Sequence, residues 1–426
     1  MFERTEKHIE DRVVYMNIAV RGLLRSRTGL PVVLLGWICL VSPVAGQVLQ
    51  MAQPETVGVS SERLKRLGEV IQTSIDEEET PGAVLLVARK GKVILRKAFG
   101  YRSKEEELAE PLTIDSIFDL ASLTKVIATA TSVMVLVEEG KLTLGDPVAD
   151  HIPEFGRRGK TKVTIGHLLT HYSGLRPILD LDPPWEGHDK AIQLACHERL
   201  VRPAGKAFVY SDINYILLGE VIHRVSGSPL EEFAPQRVFV PLGMSDTGFN
   251  PGGEKLGRVA PTERKKDGEI RKGEVHDPRA FRMGGVAGHA GLFSTVDDIA
   301  VWAQMLLNGG SYDGVRVLSP LGVLKMTTPQ NPVGGDDWRG IGFDVDTRYS
   351  SNRGDLFPVG SFGHTGFTGT SVWIDPFSET FVILFTSRLY PDGKGNVVTL
   401  RRKVASMVAA SITDLQLLRE LYYLRY

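Results

Sequence analysis

The sequence predicts a mixed α/β (α+β) fold in which one antiparallel sheet is built from both ends of the chain, flanked by helices and interrupted by a mainly helical lobe. Two strand-like runs lie at 81–99, and a second pair lies at 370–386. Between them, residues 141–280 carry helical runs and loops but few strand-like stretches. Strands at both ends with helices between them combine most simply into a single sheet with an insertion. At 426 residues, the chain is long enough for two cores or one large composite core.

Apolar residues make up 42% of the chain, charged residues 24%, and the formal net charge is −1. That balance suits a globular enzyme and leaves no basic footprint for nucleic acid. Residues 1–46 read as a secretory signal. Arg21, Arg25 and Arg27 precede the apolar run Leu30–Val41, and small residues follow at Val44-Ala45-Gly46. The run is short for a bilayer span, which needs roughly 20 residues. An uncleaved N-terminal anchor is the alternative, and Met16 is an alternative start. Of the two cysteines, Cys39 falls within this segment, so the mature chain keeps only Cys196 and has no internal disulfide. Zinc bound through paired cysteines is excluded on the same count.

A polar linker from about Gln47 leads to an amphipathic helix near Ser61–Asp76, capped by Ser60-Ser61-Glu62. Pro81–Phe99 reads as two Val-, Leu- and Ile-rich strands joined by a turn at Lys90-Gly91-Lys92. Val126–Val137 is apolar around nearly its whole circumference, the mark of a buried helix, and Gly140 ends it. Further helices are expected at Val163–His171, Asp212–Val225 and Leu230–Phe239. Residues 250–278 read as a polar surface excursion. Thr370–Ile374 and Thr380–Thr386 form a hairpin across Asp375-Pro376, and a last helix spans roughly Val397–Ile412.

Chemistry concentrates at three places. Ser122 and Lys125 stand at i and i+3, which puts them on one face of a helix. A lysine there can take the serine proton if burial or a nearby cation lowers its pKa. A helix cap explains the same serine equally well. Tyr210-Ser211-Asp212 stands just before a helix, and His364-Thr365-Gly366 leads into the strand at about Thr370.

In this order, the three elements resemble the Ser-x-x-Lys, Tyr-x-Asn and Lys-Thr-Gly motifs of penicillin-recognising serine hydrolases. More narrowly, they resemble the group of class C β-lactamases, D-Ala-D-Ala carboxypeptidases and family VIII esterases, which carry tyrosine at the second position. The resemblance runs from about Val57 to about Ile412. Leu168-Leu-Thr-His-Tyr-Ser-Gly174, Pro241-Leu-Gly-Met244 and Gly284-Gly-Val-Ala-Gly-His-Ala-Gly-Leu-Phe-Ser294 add to it. It implies a β-lactamase/transpeptidase-like fold over 47–426, with a sheet lobe of about 52–121 and 290–415 and a helical lobe of about 122–289. It also implies that Ser122 forms an acyl-enzyme and that Tyr210, made more acidic by Lys125, relays protons. The oxyanion would sit between the N–H groups of Ser122 and Phe367. Asp212, His364, Thr365, Gly366 and Phe367 would meet substrate, with no cofactor and no metal.

Two departures bear on substrate. Asp212 stands where asparagine is usual, and an ionised aspartate accepts hydrogen bonds but donates none. It equally suits a helix cap. His364 replaces the usual lysine, and a neutral histidine holds a carboxylate less strongly. Both move the expectation away from a dedicated β-lactamase. His289, in a glycine-rich loop, and His276-Asp277 show no metal-ligand spacing, so the loop is read as lining or supporting the cleft. Asn396, Arg401 and Arg402 read as solvated polar surface, with a substrate carboxylate as the alternative. The expectation is an exported serine hydrolase, periplasmic or secreted, with D-Ala-D-Ala carboxypeptidase-like or amidase activity on cell-wall peptides and peptidoglycan as partner. Alternatives are a carboxylesterase, a weak β-lactamase or an inactive binding module. The last is disfavoured because Ser122, Lys125 and Tyr210 are all present. Oligomeric state is not encoded legibly.

Overall fold

Strand Gly82–Arg89 is buried at every position. Its Gly-Ala-Val-Leu-Leu-Val-Ala run has no polar face, so both sides must be covered. This is a computed structural model, and it describes residues 49–103, 109–330 and 337–415; the signal-like segment and Cys39 lie outside them. The strand pairs antiparallel with Lys92–Ser103 on one side and Thr380–Thr386 on the other. Lys90 and Gly91, at φ 50° and 73°, make the tight turn between the first two. From Thr380–Thr386 the sheet continues through Ser371–Asp375, Phe362–Thr365, Asp344–Asp346 and Trp338–Arg339, and Glu110–Pro111 forms the opposite edge. Among the described residues it has eight strands, and every neighbouring pair is antiparallel. The expected joining of both chain ends is therefore observed, with Ala83 opposite Thr386 and Arg89 opposite Thr380.

Alternation along the strands sorts their side chains onto two faces. Ala83, Leu85, Val87, Val382 and Leu384 pack with Leu67, Ile71, Leu400 and Val404, from helices Leu67–Asp76 and Val398–Ser411. The opposite face, with Val84, Leu86, Ile383 and Phe385, joins a larger cluster reaching Leu123, Val133, Leu217 and Trp302. That cluster carries the segment holding Ser122 and Lys125. Helical winding from Ala121 to Glu138 is apolar enough by composition to cross a membrane, but 83% of it is buried inside the protein. It is a core helix.

The helix expected at 61–76 forms as Ser61–Lys65 and Leu67–Asp76, with Ser60 Oγ accepting the Arg63 N–H at 3.3 Å. Asp212–Ser226, Leu230–Ala234 and Ile165–Leu169 follow the other expected helices. Three differences stand out. Residues 250–278 are not purely a surface excursion, because Val259, Ala260, Thr262 and Val275 are buried and Val259 bridges Ile117. The buried run 259–262 is four residues long and Val275 stands alone, too brief to set up a period. His364 and Thr365 lead into strand Ser371–Asp375 as expected, but they also end a strand of their own, Phe362–Thr365, which pairs with it. Helices His188–His197, Val296–Leu307 and Pro320–Thr327 were not foreseen.

Ile383 is fully buried beside the central strand, opposite Leu86. Ile383→Ala should cost about 2–5 kcal/mol in chemical denaturation. A loss below half a kcal/mol would show that this face of the sheet is not the core.

Candidate active site

Ser122 sits in a single tight helical turn, Ala121–Leu123, directly after the short strand Phe118–Asp119. Ala121 has φ 45°, a left-handed backbone unusual for a residue with a Cβ. The surroundings hold it there. The buried Asp119 carboxylate accepts the Ala121 N–H and the His276 N–H, each at 2.8 Å. The Thr124 hydroxyl donates to the Ala121 carbonyl at 2.6 Å. Burial pushes the Asp119 carboxyl up to about 6.

Winding then loosens over Lys125–Ala130 into i→i+5 geometry before Thr131–Glu138 resumes an α-helix. Lys125 is fully buried. Its ammonium donates to Ser122 Oγ at 2.9 Å and to the His289 carbonyl at 3.1 Å. Asp212 Oδ1 lies 2.8 Å from the same nitrogen at an angle poor for a hydrogen bond, so that contact is an ion pair. Burial alone would lower the Lys125 pKa, but Asp212 and Tyr210 outweigh it and hold it above the ordinary lysine value. The lowering that would let Lys125 act as a base is therefore not met, and the side chain is a cation at neutral pH. Asp212 opens helix Asp212–Ser226 without capping it, because its carboxylate turns to Lys125.

The His289 ring is buried as well, and its Nε2 lies 2.9 Å from Asp277 Oδ1. That same oxygen accepts the N–H groups of Arg279 and Ala280, at 2.9 and 2.8 Å. Burial works against the ionised Asp277, yet the His289 ring and these donors hold its carboxyl well below the usual range. The loop thus supports the site through its main chain, with the carbonyl of His289 on Lys125 and that of Gly288 on the Thr129 hydroxyl at 2.6 Å.

Tyr210 stands beside both Ser122 and Lys125. Lys125 Nζ lies 5.1 Å from its ring centroid, close enough for the phenol, Ser122 and Lys125 to shape one another's charge. Lys125 pulls the Tyr210 pKa down, as expected of that neighbour, but burial outweighs it and leaves the phenol above its ordinary value. His171 stacks on the ring at 4.4 Å, and burial keeps that imidazole neutral. Tyr349 and the buried Arg339–Asp344 ion pair close the far side.

A cleft of about 520 Å³ opens over these groups. Its lining includes Ser122, Tyr210, His364, Thr365, Gly366 and Phe367, while Lys125 and Asp212 lie off its wall. Gly366 is required by close approach, since a Cβ there would stand 2.4 Å from the Leu120 carbonyl. Phe367 lines the same cleft as Ser122, and its N–H makes no hydrogen bond among the described residues. His364 Nδ1 donates to the Thr365 carbonyl at 2.8 Å, its Nε2 has no partner, and burial pushes its pKa down to about 4. Arg401 was read as solvated charge but is buried in the cleft wall, where it donates to the carbonyls of Gly366 and Thr370 at 2.9 and 2.8 Å. Arg402 is exposed and paired with Asp355. Asn396 reaches the cleft and also accepts the Val398 N–H at the last helix. Sequence reasoning missed Asp119, His171, Arg339, Asp344, Tyr349 and Arg388. None sits in a spaced motif of its own, although His171 lies inside the quoted stretch Leu168–Gly174.

A model of the β-lactamase family matches residues 67–406. This chain belongs to the β-lactamase family. A relative from Salmonella agona, named "Putative D-alanyl-D-alanine carboxypeptidase", is 34% identical over 380 residues, covering 80% of this chain and 86% of the relative. Among solved structures, an octameric penicillin-binding protein homologue from Pyrococcus abyssi is 26% identical with a TM-score of 0.66, covering 83% of this chain and 79% of its own. EstCE1, titled a hydrolase with promiscuous acyltransferase activity, shares the fold at 23% identity and a TM-score of 0.66, covering 82% of this chain and 98% of its own. As a family member, the protein is a serine hydrolase with the β-lactamase/transpeptidase-like fold.

Two expectations follow from the geometry. Asp277→Asn weakens the pin on His289, so kcat should fall about 10- to 100-fold through misplacement of Lys125, with KM little changed; an unchanged kcat would contradict the support role. His364 is neutral when folded down to about 4, against about 6.5 when unfolded. The unfolded chain binds more protons in that window, so stability present above pH 6.5 is lost as pH falls towards 4. His364→Gln should flatten the decline of Tm over that range. Parallel Tm–pH curves for wild type and variant would refute this.

Proposed function

We propose that this serine hydrolase is an exported D-Ala-D-Ala carboxypeptidase that removes the C-terminal residue of cell-wall peptides. The observation that carries the reading is the pair of guanidiniums at the cleft. Arg388 and Arg401 both line it, and neither has a carboxylate partner among the described residues. Burial, and then repulsion from Arg388, pushes the Arg401 pKa down to about 9, still charged at neutral pH. A peptide's terminal carboxylate would relieve both costs. The neutral His364 cannot supply that charge, so the arginines take the task. The signal-like residues 1–46 support export, and the name of the Salmonella agona relative supports the substrate class.

The chemistry runs through residues already in contact. Ser122 Oγ attacks the carbonyl of the penultimate residue and breaks the bond to the terminal amine. The serine proton passes to the Tyr210 oxygen while Tyr210 gives its own proton to the departing nitrogen. Tyr210 thus stays neutral overall, which suits its raised pKa. Lys125, kept cationic by Asp212, favours the negative charge that builds on both oxygens. The N–H groups of Ser122 and Phe367 would receive the oxyanion. Water then repeats the relay in reverse and releases the acid.

One observation favours a second reading, a carboxylesterase. Asp212 faces Lys125 as an ion pair and has no proton to donate to a substrate amide. Esters need no such donor.

Ser122→Ala should abolish hydrolysis of every substrate. Arg401→Gln and Arg388→Gln should each raise KM for a D-Ala-D-Ala peptide about 10- to 100-fold, with cleavage of a neutral p-nitrophenyl ester nearly unchanged. Wild-type cleavage of esters but not of D-Ala-D-Ala peptides would establish the esterase instead. Fractionation of the producing cells should place the protein outside the cytoplasm, and a cytoplasmic pool alone would overturn export.

A further inference from the structure

A second group of chemistry-bearing side chains lies apart from the Ser122 cleft. His188 Nε2, Glu220 Oε2 and His223 Nδ1 converge, with one ligand atom from each within 4.8 Å of the others. Glu220 Oε2 is 2.9 Å from His188 Nε2 and 3.7 Å from His223 Nδ1. Around a tetrahedral zinc ion with ligand bonds of about 2.0–2.2 Å, ligand atoms stand roughly 3.3–3.6 Å apart. The observed separations straddle that spacing, so an ion needs only small movements of two half-exposed histidines.

The framework of the trio is rigid where it should be. Glu220 and His223 stand at i and i+3 on helix Asp212–Ser226, one turn apart on one face. His188 opens the neighbouring helix His188–His197. Glu220 is 9% exposed, and its other oxygen is held by Arg224 Nε at 2.5 Å, an outer partner that orients the carboxylate. Arg224 is itself paired with Glu154 at 2.5 Å, which offsets its charge. Asp189 and Glu231 add negative potential at His188. A cleft of about 170 Å³, lined by His188, His223 and Glu231, gives an ion an entry path and room for a water as fourth ligand.

A rival trio, Asp212, Asp277 and His289, also converges, but the Lys125 ammonium already lies 2.8 Å from Asp212. A second cation there would meet that charge directly. Among the described residues no lysine contacts the His188 group, and Arg224, which does meet Glu220, binds the other carboxylate oxygen and is shared with Glu154.

We propose that His188, Glu220 and His223 form a site for a divalent transition-metal ion of the zinc class, clamping the two helices together. Gly288 lines the same small cleft, and the carbonyl of the next residue holds Lys125. An ion would thus sit behind the loop that positions the catalytic lysine.

The test uses the untagged protein, stripped with chelator and titrated with zinc chloride in a calorimeter. One equivalent should bind with a micromolar or tighter Kd and raise Tm. Cobalt chloride should give the visible absorption of a four-coordinate ion. His223→Ala and His188→Ala change half-exposed side chains, so both variants should fold, and each should weaken zinc binding by about 100-fold or more. Asp277→Asn should leave it unchanged. No binding by wild type, or undiminished binding by the His188→Ala/His223→Ala double variant, would overturn the proposal. So would loss of binding on Asp277→Asn, which would move the ion to the rival trio.

Discussion

The buried ammonium of Lys125 is the constraint that the rest of the site serves. Taking such a charge out of water is costly unless it is paired and hydrogen-bonded. Here the serine hydroxyl, the His289 carbonyl and the Asp212 carboxylate meet it from three different parts of the chain. Each of those parts is anchored in turn: the serine by the strained turn on Asp119, the carbonyl by the loop pinned through Asp277, and the carboxylate by the helix it opens. Removing any one leaves a desolvated cation short of a partner.

This arrangement changes what the lysine does. A neutral lysine would act as the base, but the ion pair with Asp212 keeps this one charged, and burial keeps Tyr210 protonated. The site therefore favours moving protons in concert rather than storing one. Positive charge recurs in the cleft that Ser122 lines, where Arg388 and Arg401 also stand. Phe367 is 62% exposed there, and the Arg388 guanidinium lies over its ring at 4.4 Å. A ligand that is anionic at one end and apolar beside it fits that surface.

Much of this was legible in the residues. Strand runs at 81–99 and 370–386, the all-apolar helix after Lys125, and the three short motifs led to the observed sheet and to the grouping of Ser122, Lys125 and Tyr210. What stayed hidden has physical causes. Arg339 and Asp344 form an ion pair five residues apart, a spacing found anywhere on a protein surface, and only burial gives it meaning. Arg401 looked like one more charge on a polar helix, because sequence does not show which face of that helix the cleft occupies. In the sequence, Asp212 suits a helix cap and a substrate contact equally. Its actual partner comes from a distant segment, and no local pattern points to it.

The sheet joins the two ends of the chain, and that sets an order of events. Arg89 bonds the carbonyl of Ser378, 289 positions later, and the Ser60 N–H bonds the carbonyl of Ser411. Long-range pairing of this kind is slow to form. The His364–Gly366 strand end, which completes the cleft beside Ser122, belongs to the late-made part of the sheet. A ribosome-bound chain that already carries Ser122, Lys125 and Tyr210 still lacks that wall and the arginines beyond it. Ser122 is therefore made early and its cleft wall last, so a growing chain carries that serine before the surface facing it exists.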